Sequence, residues 1–200
     1  AADRLVAELG ARLVHPSDDP DVIAGQGTVG LELVRQVAEM TAGGRLDAVV
    51  VPVGGGGLLS GVAIAVKALC PGALIVGAEP AAADDAFRSK AAGKVCGHEP
   101  AGAAPDTIAD GLKTTLGRHT WPVVRDVVDV IITVSEDEIR RWMRVVYERM
   151  KLVIEPSSAV GVAVVMSPEF RAMPELERVG VILCGGNVDA AQLGALLSEA

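Results

Sequence analysis

Four consecutive glycines at residues 54–57 form the segment of this chain best suited to bind an anion. They follow an apolar, valine-rich run at residues 49–53, which is typical of a strand buried on both faces. Helix-compatible sequence begins at about Leu58, so the positive end of a helix dipole would point at the glycines. Because the loop lacks side chains, its backbone N–H groups can close on a ligand. We interpret it as a phosphate-binding loop; the alternative is a flexible surface loop.

A second glycine-containing turn, at residues 184–187, follows the apolar run at residues 179–183. The carboxyl ends of parallel strands meet at one edge of an open sheet, and ligands bind there. We therefore expect the two turns to build one site, in which the first holds a phosphate and Cys184 offers a small polar group to the rest of the ligand. The alternative for Cys184 is a buried side chain that acts as a small hydrophobe.

Acidic residues follow the next predicted strand. Glu79 ends that strand, Asp85 lies six residues further on, and Asp84 stands between them. Two carboxylates and a backbone carbonyl at this spacing could hold a hard divalent cation. The alternative is a helix N-terminus with acids in its first turn, where the helix dipole favours them.

The glycine loop also allows a dinucleotide-binding interpretation. Glu79 lies 22 residues beyond Gly57, close to the spacing of the acid that binds a ribose in that motif. However, Ser60 occupies the position of the third glycine, and the motif does not require a second glycine turn with a thiol. This alternative is the weaker one.

Composition excludes several classes of protein. The net charge of −8, with acids and bases interspersed, argues against nucleic acid or an anionic membrane as a partner. No apolar run is long enough to span a membrane. Three cysteines without close spacing indicate neither a disulfide framework nor a zinc site, and they favour a reducing cytoplasm. We interpret the three histidines, His15, His98 and His119, as ordinary surface or loop residues.

Strands alternate with helices along the chain, which predicts an α/β fold with a three-layer, open, mostly parallel sheet. Ser135 and Glu138 form a capping box at the start of one helix. The predicted strands are 11–15, 47–53, 74–79, 130–134 and 179–183. The predicted helices are 1–10, one that begins after residues 25–28, 58–70, 81–90, 120–128, 135–150, 157–166 and one that ends at about residue 197.

Six motifs occur in an order that resembles one enzyme family: residues 22–28, 52–58, 78–80, 107–111, 151–156 and 184–189. The chain resembles the serine racemases and related serine/threonine dehydratases, which are fold-type II pyridoxal-phosphate enzymes, from about residue 10 to 190. Within this family, residues 120–122 and 187–189 and the pair Glu79 and Asp85 favour the racemases. The resemblance implies that residues 11–200 form most of the cofactor-binding large domain and that residues 1–10 end a small-domain segment. It also implies serine as substrate and a homodimer in the full-length form.

The resemblance further implies roles for individual residues. Cys184 would face the pyridine nitrogen of pyridoxal 5'-phosphate. Glu79, Asp85 and the carbonyl of Ala83 would bind Mg²⁺ or Ca²⁺, and Lys151 would lie near an activating ATP. The cofactor phosphate would be bound by the backbone amides of Gly54, Gly55, Gly56, Gly57 and Leu58.

Two catalytic groups of the family have no counterpart in this sequence. They are the lysine that forms a Schiff base with the cofactor and the serine on the opposite face, both of which lie upstream in relatives. We therefore expect the 200-residue chain alone to be inactive. The resemblance implies that the full-length enzyme interconverts L- and D-serine and eliminates water or ammonia from serine. The alternatives are an L-serine/L-threonine dehydratase, a non-catalytic fragment or a dinucleotide-binding domain.

Overall fold

A four-stranded, fully parallel sheet organises the structure, a computed structural model that describes residues 2–41, 44–173 and 176–198. The strands are β1 (Ala48–Pro52), β2 (Leu74–Pro80), β3 (Val130–Val134) and β4 (Val179–Val181), in the spatial order β3-β2-β1-β4. Val50 of β1 is in register with Val76 of β2 on one side and with Val181 of β4 on the other. The predicted α/β fold with a parallel sheet is confirmed.

Helices cover both faces of the sheet. The α-helices among the described residues are α1 (Ala2–Leu9), α2 (Pro20–Met40), α3 (Gly57–Leu69), α4 (Asp85–Ala92), α5 (Thr120–Asp126), α6 (Glu136–Val145), α7 (Pro156–Met166), α8 (Pro168–Arg171) and α9 (Ala190–Ser198). None of these described helices has the length and apolar character that crossing a membrane requires.

Alternate residues of β1 supply two separate cores, as the two-residue period of a strand requires. Val49 and Val51 pack with α3 and α5 on one face. Ala48 and Val50 pack with α6 and α7 on the other. All five residues of β1 are buried, so the central strand is covered by a helical layer on each side. This produces the three-layer arrangement and leaves the strand ends as the accessible edge.

Some predicted elements are wrong in detail. Residues 11–15 form no strand, because no described strand pairs with them and their side chains are exposed. The predicted helix 81–90 divides into a 3₁₀ turn, Ala81–Ala83, and α4. The predicted helix 135–150 changes into a π-helical turn at Val146–Met150. Strand β4 ends at Val181, two residues earlier than expected. The capping box of Ser135 and Glu138 at the start of α6 is confirmed.

Candidate cofactor site

A cavity of about 860 Å³ opens at the carboxyl edge of the sheet. The glycine loop and Cys184 both contribute to its wall, so the two turns that were expected to share a site do meet. Further walls come from other parts of the chain, among them the motif segments 107–111 and 151–156. These additional lining residues include His15, Ser17, Asp110, Lys113, Glu155 and Ser157.

The glycine loop is buried, and the flexible surface-loop interpretation is therefore wrong. Gly56 adopts a left-handed conformation with φ 85° and is the N-cap of α3. Ser60 donates its N–H to the Gly56 carbonyl oxygen at 2.8 Å, which closes the first turn of the helix. Among the hydrogen bonds between described residues, none uses the N–H groups of residues 54–59 as donors. These free donors and the positive end of α3 together have the chemistry that an anion-binding site needs.

Close packing explains why the loop needs glycine. A Cβ on Gly54 would lie 2.9 Å from the Leu112 Cα, and one on Gly57 would lie 2.6 Å from the Ser17 carbonyl oxygen. Gly55 also has no room, since a Cβ there would overlap the Ser17 hydroxyl. Side chains at these positions would push the loop off its supports.

Thr120 holds the loop from outside, and Asp18 in turn holds the segment that carries Thr120; sequence reasoning gave neither residue this role. The buried Thr120 hydroxyl donates to the Gly55 carbonyl oxygen at 2.8 Å, and the hydroxyl oxygen itself accepts the Gly117 N–H at 2.8 Å. The Asp18 carboxylate accepts the N–H groups of Arg118, His119 and Thr120 at 2.9, 2.6 and 3.1 Å. Asp18 thus supplies the N-terminal cap that α5 lacks locally.

The Cys184 turn is fastened by Ser158, which the sequence analysis also missed. The Ser158 hydroxyl accepts the Gly185 N–H at 2.8 Å and donates to the Gly185 carbonyl oxygen at 2.6 Å. It also lies 3.7 Å from the Cys184 sulfur. Glu155, the N-cap of α7, accepts the Asn187 N–H at 3.0 Å and so holds the far end of the turn.

Cys184 is exposed to the cavity, so the interpretation of its side chain as a buried hydrophobe is wrong. Nevertheless, partial burial by the surrounding walls raises the pKa of its thiol. The Ser158 hydroxyl opposes this rise and the nearby Glu155 charge adds to it. The thiol therefore remains neutral at physiological pH and can donate or accept one hydrogen bond.

Glu79 and Asp85 form a second cluster, and both side chains are fully buried. The two Glu79 oxygens accept the N–H groups of Ala86 and Phe87 at 2.8 and 2.9 Å. Burial raises the pKa of Glu79 to about 8, against the lowering effect of these two hydrogen bonds. Since a buried carboxylate with both oxygens engaged cannot reach a ribose, the structure gives the dinucleotide interpretation no support.

Ala83 lies in the 3₁₀ turn between β2 and α4. Its carbonyl oxygen would normally accept the N–H of Ala86 or Phe87, three or four residues on. Both donors are used by Glu79 instead. The carbonyl is thereby released from its helical partners, which fits its expected role as a cation ligand.

Asp85 has one satisfied and one unsatisfied oxygen. Oδ2 accepts the Leu116 N–H at 3.2 Å, whereas the buried Oδ1 has no hydrogen-bond partner. His98 Nδ1 lies 3.5 Å from that Oδ1, and the His98 side chain is only 12% exposed. Burial raises the pKa of Asp85 to about 6, and the charge of a protonated His98 would lower it. His98 lies in a loop, as one of the two expected settings for the histidines, but its side chain is mostly buried rather than on the surface.

Two remaining expectations concern the metal-ligand set and the nucleotide contact of Lys151. Among the described residues there is no group of three or more His, Cys, Asp or Glu side chains arranged to hold a metal ion, and the expected set contains only two carboxylates. Lys151 follows the π-helical turn with φ 59° and donates to the Glu148 carbonyl oxygen at 2.7 Å. It does not line the cavity, and its expected contact with a nucleotide stays a prediction.

Comparison with known proteins places these features in context. The family described as "Pyridoxal-phosphate dependent enzyme" matches residues 1–185. Serine racemase from Homo sapiens is 50% identical over 189 residues, which are 94% of this chain and 53% of the human protein. Serine racemase from Dictyostelium discoideum is 45% identical over 195 residues, which are 98% of this chain and 58% of that protein.

Solved structures agree with the sequence matches. Maize serine racemase has a TM-score of 0.88 and 44% identity, covering 98% of this chain and 58% of its own. The threonine deaminase from T.th. has a TM-score of 0.86 and 47% identity, covering 94% of this chain and 59% of its own. The chain spans a little over half the length of the relatives it matches.

Proposed function

The chain belongs to the pyridoxal-phosphate dependent enzyme family, and we propose that its cavity binds pyridoxal 5'-phosphate between the glycine loop and Cys184. The observation that carries this proposal is the row of N–H groups at residues 54–59 that no acceptor among the described residues uses. They are aligned with the N-terminus of α3, so a phosphate would gain charge-assisted hydrogen bonds and a favourable helix dipole.

Cys184 lines the same cavity and would contact the cofactor ring. When bound, pyridoxal phosphate withdraws electrons from the substrate carbon that bears the amino group. A neutral thiol, unlike a carboxylate, does not enforce a positive charge on the ring nitrogen. Ser158 and Glu155 hold the turn that presents this thiol, and so they act as positioning residues.

We propose that the full-length protein interconverts L- and D-serine and also eliminates water or ammonia from serine. Identities of 45–50% to serine racemases over nearly the whole chain support this substrate. The 47% identity to a threonine deaminase supports a second candidate, an L-serine/L-threonine dehydratase. In either case residues 11–200 would be the cofactor-binding part and residues 1–10 would end the small domain. The lysine that forms a Schiff base with the cofactor would lie outside this sequence.

Product analysis of the purified full-length protein tests the activity. We expect D-serine and pyruvate from L-serine when pyridoxal phosphate is supplied. Pyruvate without D-serine would support the dehydratase. Neither product, together with no change in the cofactor absorption spectrum on adding the protein, would contradict the proposal.

We also propose that Glu79, Asp85 and the carbonyl of Ala83 hold a divalent cation such as Mg²⁺ or Ca²⁺. The unsatisfied Asp85 Oδ1 and the released Ala83 carbonyl support this, since oxygen atoms are the ligands that hard cations prefer. Calorimetric titration with Mg²⁺ should lose its binding signal in Asp85→Asn. Unchanged binding would mean that the acids only stabilise the polypeptide.

Three further proposals follow from the family resemblance. We propose ATP as an activator near Lys151, a homodimer and a cytoplasmic location. Sedimentation of the full-length protein with and without ATP tests the first two, because an interface nucleotide should stabilise the dimer. Equal sedimentation and no nucleotide binding would contradict them.

A further inference from the structure

We propose that His15 is a positioning residue for the phosphate loop, and that it supports the loop only while its Nδ1 atom carries no proton. Cofactor affinity would then fall in acid through a histidine that acts on the protein rather than on the cofactor. The inference rests on the proposed binding of the cofactor phosphate at residues 54–59 and goes beyond it, since that proposal gives His15 no role.

The His15 ring organises the segment that follows it. Its Nδ1 atom accepts the N–H of Asp18 at 2.9 Å and the N–H of Ser17 at 3.3 Å. A backbone N–H only donates, so Nδ1 must present its lone pair, and in the neutral ring the proton is on Nε2. His15 thereby closes a turn over residues 15–18, as the side chain of an aspartate or asparagine does in an Asx turn.

The first support that this turn gives the loop is a direct contact. Ser17 packs on two glycines of the loop, because a Cβ on Gly57 would lie 2.6 Å from the Ser17 carbonyl oxygen and one on Gly55 would overlap the Ser17 hydroxyl. The loop therefore rests on the backbone of residue 17, whose N–H is one of the two that His15 holds.

The second support runs through α5. Asp18, whose N–H is the closer partner of His15, accepts the Thr120 N–H at 3.1 Å through its carboxylate. Thr120 begins α5, and its hydroxyl donates to the Gly55 carbonyl oxygen at 2.8 Å. The turn closed by His15 thus reaches the same glycine by a second route.

A proton on Nδ1 would remove both supports at their origin. Imidazolium has an N–H donor on each nitrogen, so Nδ1 would then oppose the two backbone N–H groups instead of accepting them. Histidine changes its protonation between about pH 5 and 8, so the turn is closed at the upper end of this range and released at the lower end. One ordinary hydrogen bond corresponds to a factor of about two to ten in an equilibrium constant.

Other titratable and charged groups share these surroundings. Those on the same segment or bonded to it are Arg12, Asp18, Asp19, Arg118 and His119. Those that line the same cavity are His98, Asp110, Lys113, Glu155 and Cys184. All of them remain when only the His15 side chain is changed, so a comparison between variants at each pH isolates its contribution.

Binding of 4'-deoxypyridoxine 5'-phosphate to the cofactor-free, full-length protein measures the effect. This probe has the ring and the phosphate of the cofactor but no aldehyde, so its affinity reports the loop without a covalent bond to the protein. The test variant is His15→Asn, whose side-chain oxygen can accept the same N–H groups but does not titrate. His15→Ala removes the acceptor. The control is His119→Gln, since the His119 side chain makes no capping bond to α5 and lines a separate cavity.

We expect the variants to separate by their pH profiles. At about pH 8 the unmodified protein, His15→Asn and His119→Gln should bind the probe within about twofold of one another, and His15→Ala about tenfold more weakly. Between about pH 8 and 5.5 the unmodified protein and His119→Gln should lose about tenfold more affinity than His15→Asn. In acid the unmodified protein should approach the affinity of His15→Ala.

Each other result has a definite meaning. Parallel profiles for the unmodified protein and His15→Asn would overturn the inference, and so would a His15→Ala that binds like the unmodified protein at the upper pH. If His15→Asn bound weakly at every pH, the unmodified protein would still have to converge on His15→Ala in acid, and curves that stay apart would overturn the inference. A pH response that disappears in His119→Gln would assign it to the wrong histidine. No binding of the probe by the unmodified protein at any pH would contradict the proposed phosphate site itself, and the inference with it.

Discussion

Replacing Thr120 by valine should destabilise the phosphate loop although it changes neither the size nor the branching of the side chain. The Thr120 hydroxyl is the donor for the buried Gly55 carbonyl and the acceptor for the Gly117 N–H, both at 2.8 Å. Valine would leave both backbone groups without a partner. An unsatisfied buried polar group costs about 1–3 kcal/mol. The Gly55 carbonyl is buried and the Gly117 N–H is only partly buried, so we expect the free energy of unfolding to fall by about 1–3 kcal/mol.

Cofactor binding should weaken in the same variant. The Gly55 peptide would no longer be held, and its carbonyl could turn towards the phosphate and repel it. A loss of about 1.4 kcal/mol in binding corresponds to a tenfold weaker affinity, and we expect at least that change. Urea unfolding of the cofactor-free full-length protein measures the first effect, and titration with pyridoxal phosphate followed by absorbance measures the second.

Thr28→Val provides a matched control for this experiment. Thr28 is exposed on α2, and its hydroxyl bonds only the Gly25 carbonyl of its own helix at 2.7 Å. Its replacement should change stability by less than about 0.5 kcal/mol and leave cofactor affinity intact. If Thr120→Val behaved like Thr28→Val in both assays, the loop would not depend on this hydroxyl and our account of its support would be wrong.

Three other perturbations test the remaining walls of the site. Gly57→Ala should abolish detectable pyridoxal phosphate binding, because its Cβ would meet the Ser17 backbone at 2.6 Å; normal titration of this variant would contradict the close packing. Ser158→Ala should lower cofactor affinity by about tenfold, because the Gly185 N–H loses its acceptor at a cost of about 1–3 kcal/mol; equal affinities would show that the turn holds itself. The iodoacetamide reaction of Cys184, followed by mass spectrometry in cofactor-free protein, should have its pH midpoint above that of an ordinary thiol. Burial disfavours the thiolate and so raises the pKa of Cys184 in the folded protein. The corresponding contribution to folding stability is present below the ordinary thiol pKa and is lost as pH rises through the raised pKa of the folded protein. A reaction midpoint below the ordinary thiol pKa would refute this account.

Local sequence patterns correctly predicted those elements of the fold that depend on residues adjacent in the sequence. The valine run became β1, the glycines became the N-terminus of α3, and Ser135 with Glu138 formed the capping box of α6. The prediction for residues 11–15 failed because an apolar run becomes a strand only when another strand pairs with it. That condition depends on tertiary structure, which periodicity does not report.

The candidate site was predicted only in its glycines and its thiol. Asp18, Thr120 and Ser158 act on backbone groups far away in the sequence, and their residue types are common in turns and helix starts. The burial of His98 was missed for a similar reason, because its partner Asp85 belongs to another segment. Thr120 and Ser158 lie within or beside short segments that the motif comparison had already singled out, and that proximity was the one available signal.

The bonds from Asp18 to the start of α5 have a consequence for synthesis on the ribosome. They join backbone and side-chain atoms 100–102 positions apart, and Gly185 lies still later in the chain. A nascent polypeptide that has emerged only as far as α3 already contains every glycine of the loop but none of the anchors from α5 or the second turn. Closing such long intervals costs entropy before any contact is gained. We therefore expect the vitamin-derived coenzyme to be captured after translation of this region is complete.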